Sequence, residues 1–134
     1  MSRSVPKRRS LERRLRRAAK STLRFLRLRN SNVEVTLLSE SDFKSLERKA
    51  LGRVKKIPNI LSFPDPPGFP HPEVKGKMLG EIYLNADLQN GDIRELTYLL
   101  IHGILHLAGY RHGKKSDMIQ MERVEQKLLK RLSG

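Results

Sequence analysis

Residues 96–112 decide the fold, and they read LTYLLIHGILHLAGYRH. Between Leu96 and Ala108 the stretch is apolar almost all round, and a helix without a polar face is a buried helix. Asp92 is positioned to cap this helix at its start. Gly109 ends it, because glycine readily adopts the left-handed conformation that follows a helix. The stretch therefore predicts a helix at the centre of the protein.

Three histidines interrupt this apolar stretch, at spacings of four and six residues: His102, His106 and His112. Residues i and i+4 lie one turn apart on the same helix face, so the first two imidazoles point the same way. Gly109 can turn the chain so that His112 reaches the same point. Three histidines that leave a fourth position for water are typical of a catalytic zinc site. We therefore predict one divalent metal ion per chain, zinc in the first place.

The same spacing occurs in the metzincin peptidases, whose pattern is HExxHxxGxxH. Gly103 stands where those peptidases carry the glutamate that acts as general base. Hydrolysis would then need direct attack by a metal-bound hydroxide, or another carboxylate such as Glu81 near the water. The residues leave both routes open.

Shorter patterns predict the remaining elements. Period-2 alternation and short apolar runs indicate strands, and apolar positions three or four apart indicate helices. A segment rich in proline, residues 64–76, is predicted to be a loop, with His71 as a solvated loop residue. The predicted strands are 33–37, 60–63 and 79–85, and the further helices are 41–51 and 116–132.

The net charge of +14 is concentrated at the N-terminus. Residues 1–30 hold 12 lysines and arginines against one acid, Glu12, whereas the other residues are almost balanced. Apolar or small side chains recur there every three or four positions, which predicts an amphipathic helix. We therefore divide the chain into a basic helical arm, residues 1–30, and a single domain, residues 31–134. The predicted apolar face of the arm consists of Leu11, Leu15, Ala18, Thr22 and Leu26.

The arginines of the arm fit a polyanion. Guanidinium groups match phosphate oxygens, and each neutralised phosphate releases counterions. A solvated helix face and an organelle presequence are the alternatives. Only 5% of the residues are aromatic, so RNA would be held by phosphate contacts and shape rather than by base stacking. The candidate RNA contacts are Arg13, Arg16, Arg17 and Arg24.

Several classes are excluded by composition. The chain has no cysteine, so we expect no disulfide-linked partner and no thiolate metal site. It has no apolar run long enough to cross a membrane and no secretory signal, so we expect no membrane association and a cytoplasmic location.

Three motifs resemble those of the YbeY endoribonucleases. Residues 102–112, HGILHLAGYRH, resemble the family signature His-Gly-x-Leu-His-Leu-x-Gly-Tyr-Asp-His. Residues 59–64, NILSFP, resemble its Asn/Asp-Val-Leu-Ser-Phe-Pro, and residues 79–82, LGEI, resemble its Leu-Gly-Asp-Ile. The resemblance spans roughly residues 33–130 and leaves out the basic arm.

The resemblance implies an α+β fold: a small mixed β-sheet packed with helices, and a zincin-like central helix that carries two metal ligands. By matched position, the ligands are His102, His106 and His112. The arginine of the family does not align without a gap, and the candidate for it is Arg53, which would be a catalytic residue. Arg111 stands where the family usually has aspartate, which removes a possible acceptor for a histidine N–H.

The resemblance further implies a metal-dependent endoribonuclease of single-strand type. Its work would be the maturation of the 3′ end of small-subunit ribosomal RNA and ribosome quality control. The implied partners are ribosomal RNA, the small ribosomal subunit and its assembly factors. A non-catalytic ribosome-binding or RNA-binding factor with a structural metal is the alternative, and a zinc peptidase is the least favoured.

Overall fold

The computed structural model describes residues 4–51, 59–66, 68, 70–87, 92–110 and 115–133. These residues form helices and strands close to the predicted positions. The strands are β1 (Ser31–Leu38), β2 (Ile60–Pro64) and β3 (Lys77–Asn85), and the helices are α1 (Ser4–Phe25), α2 (Glu40–Leu51), α3 (Ile93–Leu107) and α4 (Lys115–Ser133). None of the helices in the described part of the chain has the apolar length that a bilayer span requires.

The three strands form one mixed sheet in the order β1-β3-β2. β1 runs parallel to the central strand β3, and β2 runs antiparallel to it. Side chains alternate along β3, so that Ile82 and Leu84 are buried while Glu81 is exposed on the other face. The predicted α+β class with a small mixed sheet is confirmed.

α3 is enclosed on several sides, as its sequence predicts. Leu96, Leu100 and Ile104 pack into the main core with α1 and the inner face of the sheet. Ile101 and Leu105 pack on another side against Met121 and Leu128 of α4. The Asp92 side chain accepts a hydrogen bond from the Arg94 N–H, which caps the helix as predicted. α3 is therefore the element around which the other layers assemble.

The basic helix α1 is one of these layers. Its inner side chains belong to the main core, and Leu15 is fully buried there. The predicted apolar face is nearly right, except that Ala19 and Leu23 lie deeper than Ala18 and Leu26. The division of the chain into a basic arm, residues 1–30, and a single domain, residues 31–134, stays a prediction.

We expect Leu15→Ala to lower the free energy of unfolding by about 2–5 kcal/mol, because it leaves a cavity between α1, α3 and the sheet. Arg14→Ala, an exposed position one residue earlier on the same helix, should change it by less than about 0.5 kcal/mol. Urea denaturation of both variants checks the difference. Equal, small effects would show that α1 does not contribute to the stability of the core.

Candidate metal centre

His102 and His106 of α3 face each other one helical turn apart. Their Nε2 atoms are 3.1 Å apart, and their ring centroids are 4.6 Å apart with the rings nearly perpendicular. His102 is buried and His106 is half-buried. The spacing i, i+4 on a straight helix thus brings the two imidazoles together.

The orientation of His102 is fixed from behind by Glu125 of α4. The His102 Nδ1 donates to Glu125 Oε2 at 2.7 Å, and both side chains are almost completely buried, at 6% and 5% exposure. A carboxylate accepts hydrogen bonds, so this contact assigns the proton to Nδ1 and leaves a lone pair on Nε2. The lone pair is directed towards His106.

Glu125 is the residue that the sequence analysis missed. It lies on the inner face of α4 between Met121 and Leu128, four residues after the first and three before the second. A charged side chain on an apolar helix face is rarely buried without a partner. The position of Glu125 among apolar residues therefore indicated that it has a buried partner. The spacing of apolar residues in this helix also predicts Met118 on the inner face. That prediction is wrong, since Met118 is 52% exposed in a first part of α4 that lies outside the core.

The two described histidines fit a metal ion. Tetrahedral zinc holds imidazole nitrogens at about 2.0–2.1 Å, which puts two of them about 3.3 Å apart, close to the separation of the His102 and His106 nitrogens. A carboxylate behind a histidine, as Glu125 is behind His102, is the usual support for a ligand histidine.

Other residues are also predicted for the site. His112 and Arg53 lie outside the described residues, as does Arg111. The described part of the chain alone contains no group of three side chains able to hold a metal. The three-histidine set therefore stays a prediction.

Gly103 faces the sheet. A Cβ atom there would lie 2.9 Å from Ile60 Cδ1 and 3.2 Å from Ile82 Cδ1, so any larger side chain would have to enter the packed contact between α3 and strands β2 and β3. A glutamate like that of a metzincin peptidase would have to displace the Ile60 and Ile82 side chains at this position, and it would face the sheet. Glu81 does not replace it, because it points to the opposite face of the sheet from Ile82.

The four candidate RNA contacts are exposed on α1: Arg13, Arg16, Arg17 and Arg24. The first three, with Arg9 and Lys20, line a shallow hollow of about 420 Å³. A second hollow of about 540 Å³ continues from Lys20 past Arg24 to Arg29. Among the described residues, the only acid lining the two hollows is Glu12, which lies 4.0 Å from Arg16. This basic surface faces away from the core on which α1 packs.

His71 is not the solvated residue that the loop composition predicts. Its Nε2 lies 2.7 Å from Asp65 Oδ1, and its Nδ1 lies 3.6 Å from Glu73 Oε2. The hydrogen bond to Asp65 raises the pKa of His71, and Glu73 acts in the same direction. His71 therefore ties together the segment between β2 and β3.

The fold and the site define a class: an α+β protein that presents an i, i+4 histidine pair from a buried helix. The family model described as "Endoribonuclease YbeY" matches residues 2–133. The chain belongs to the endoribonuclease YbeY family. The match includes α1, which the resemblance based on the three motifs left out.

Individual relatives support this membership. The chain is 35% identical to the endoribonuclease YbeY of Bartonella quintana, over 87% of this chain and 79% of the relative. It is 32% identical to that of Phytoplasma australiense, over 78% and 76%. The solution structure of TM1509 from Thermotoga maritima is similar with a TM-score of 0.52 and 26% identity, over 98% of this chain and 85% of that one.

We expect His102 and Glu125 to be energetically coupled. In a double-mutant cycle with His102→Ala and Glu125→Ala, either single change leaves a buried polar group without its partner, so the costs should not add. The coupling should be about 1–3 kcal/mol, measured by urea denaturation with chelator present. Glu125→Gln should keep much of the stability, because its amide oxygen can still accept from Nδ1. Additive single costs would contradict the prediction.

Proposed function

We propose that the chain is a metal-dependent endoribonuclease that matures the 3′ end of small-subunit ribosomal RNA and serves in ribosome quality control. Membership of the endoribonuclease YbeY family supports the reaction class. The observation that carries metal dependence is the pair of facing His102 and His106 nitrogens, backed by the buried Glu125. The proposed partners are ribosomal RNA, the small subunit and its assembly factors in the cytoplasm.

One divalent metal, zinc in the first place, would be held by His102, His106 and His112. Such an ion lowers the pKa of water and polarises a phosphoryl oxygen, which is the chemistry that phosphodiester hydrolysis requires. The chain itself supplies orientation. Glu125 holds the His102 ring, and the enclosed helix α3 holds both described histidines in place.

The negative charge that develops on the phosphate needs a cation near the site. Arg53 is our proposal for that role, and it rests on the motif alignment alone. Gly103 has no carboxylate, and the carboxylate of Glu81 lies on the far face of the sheet, so neither position offers a general base beside the described histidines. This feature favours phosphodiester hydrolysis over peptide hydrolysis, since the peptidases with this spacing depend on such a base.

The exposed arginines of α1 are proposed to hold the RNA. Because α1 is anchored by its buried face, the backbone positions of these arginines are set by the fold, and less backbone entropy is lost when phosphates bind. Glu12 is the only acidic neighbour among the described residues along the two hollows, which leaves the charge available to an anion. Arg13, Arg16, Arg17 and Arg24 would contact phosphates rather than bases.

We expect the purified protein to bind about one zinc ion per chain and to cut a ribosomal RNA precursor in a reaction that chelators abolish. His102→Ala should lose both properties, because it removes one proposed ligand and leaves the buried Glu125 without its hydrogen-bond donor. His71→Ala is the matched control, since it removes a histidine whose partners are Asp65 and Glu73. Metal analysis and gel-based cleavage assays check this. RNA binding without cleavage in any divalent metal would favour the non-catalytic factor instead.

We expect Arg13→Gln with Arg17→Gln to weaken RNA binding and to flatten its salt dependence. The slope of log K against log salt should fall by about 0.7–0.9 for each phosphate that the variant no longer neutralises. Arg123→Gln, an exposed arginine on α4, is the control. Substitution is a cleaner test than deletion of residues 1–30, which would also remove core side chains. An unchanged slope would show that these arginines do not neutralise phosphates and that α1 serves only to stabilise the core.

A further inference from the structure

Tyr98 is an exposed aromatic side chain on α3, one turn before His102. It is 36% exposed, whereas the other aromatic side chains in the described part of the chain are buried or half-buried. Its ring centroid lies 6.3 Å from that of His102, with the planes tilted by 34°. Tyr98, His102 and His106 thus form one line along the helix. A partly exposed aromatic ring therefore lies beside the first histidine of the candidate metal centre.

The fold does not account for this side chain. Its neighbours on α3, Leu96, Leu99 and Leu100, are buried, whereas Tyr98 belongs to neither hydrophobic cluster. The hydroxyl makes no hydrogen bond to any of the described residues. Burial of part of the ring raises the pKa of Tyr98, and the carboxylates of Glu125, Glu122 and Glu95 raise it further. The phenol is therefore neutral, and its surroundings are acidic.

The negative charges near Tyr98 indicate which kind of chemical group could bind to it. A phosphate near Tyr98 would be repelled by the exposed carboxylate of Glu95, three residues earlier on the same helix, and by that of Glu122, one turn before Glu125 on α4. A neutral planar group would not be repelled, and nucleobases stack on tyrosine irrespective of sequence. Carboxylates accept hydrogen bonds from exocyclic amino groups, as they do from the amino group of cytosine. Adenine and cytosine carry such a group at the pairing edge, and uracil does not.

We propose that Tyr98 stacks an unpaired nucleobase next to the site of cleavage and that the neighbouring carboxylates favour an amino-bearing base. This inference rests on the proposed ribonuclease function. It places a base on the acidic side of His102, while phosphates are held by the cations of α1. Since a base within a duplex is already stacked and paired, Tyr98 would also select single-stranded RNA.

The test compares wild type with Tyr98→Phe and Tyr98→Leu, the second of which keeps apolar bulk without a planar face. Ile119→Ala, which truncates another exposed apolar side chain on α4, is the matched control. The full chain is titrated with eight-nucleotide RNAs of adenosine, cytidine or uridine and with an abasic backbone of the same length. Fluorescence anisotropy is measured with chelator present, so that nothing is cut. Zinc content and urea unfolding are measured for every variant.

We expect Tyr98→Leu to weaken binding of the adenosine and cytidine oligonucleotides about 5- to 150-fold, with a smaller loss for uridine and none for the abasic backbone. Each oligonucleotide is titrated with both wild type and variant. Base stacking within the free oligonucleotide affects both affinities equally, so it does not change their ratio. Tyr98→Phe and Ile119→Ala should resemble wild type, and zinc content should not change. Equal losses for all four ligands, or no loss, would overturn the role of Tyr98 while leaving the ribonuclease proposal intact. Wild type that binds and cuts no RNA would overturn both.

Discussion

The structure depends on the enclosure of α3. Its apolar side chains are taken up by α1 and the sheet on one side and by α4 on another. A helix enclosed in this way cannot carry a polar side chain without a partner, because an unpaired buried group costs about 1–3 kcal/mol. His102 meets this condition through Glu125. The same hydrogen bond thus satisfies a buried polar group and fixes the orientation of the His102 ring.

The histidine pair could be predicted from the sequence because helical periodicity alone decides which side chains of one helix are neighbours. Glu125 could not be assigned to His102, because that contact depends on how α4 is rotated against α3. The exposed position of Met118 depends on where along α4 the contact with the core begins, which periodicity does not indicate either. The alternation of apolar and polar residues did not predict the order of the strands either. It indicates where the strands are but not which strand lies in the middle. Periodicity does not determine how helices and strands that are distant in sequence pack against one another.

The basic helix shows how one element serves two requirements. A count of charges separates residues 1–30 from the rest, whereas the packing of Leu11, Leu15 and Leu23 joins them to the core. Composition describes the outer face of such a helix, and the apolar stripe describes its inner face. The family match over residues 2–133 agrees with the packing. If α1 binds RNA as proposed, its anchored backbone would hold the arginines at set positions along the surface, which a flexible tail would not.

Gly103 shows why a ligand pattern does not by itself define a reaction. The spacing of the histidines is that of the metzincins, but the residue after the first histidine points into the sheet, against Ile60 and Ile82. Glycine permits the close approach of α3 to β2 and β3, and a larger side chain at position 103 would have to displace Ile60 and Ile82. Any group that assists a metal ion held by the histidines would therefore come from outside the face of α3 that packs on the sheet. That leaves the solvent-facing side of His102 and His106 as the place where the proposed chemistry would be determined.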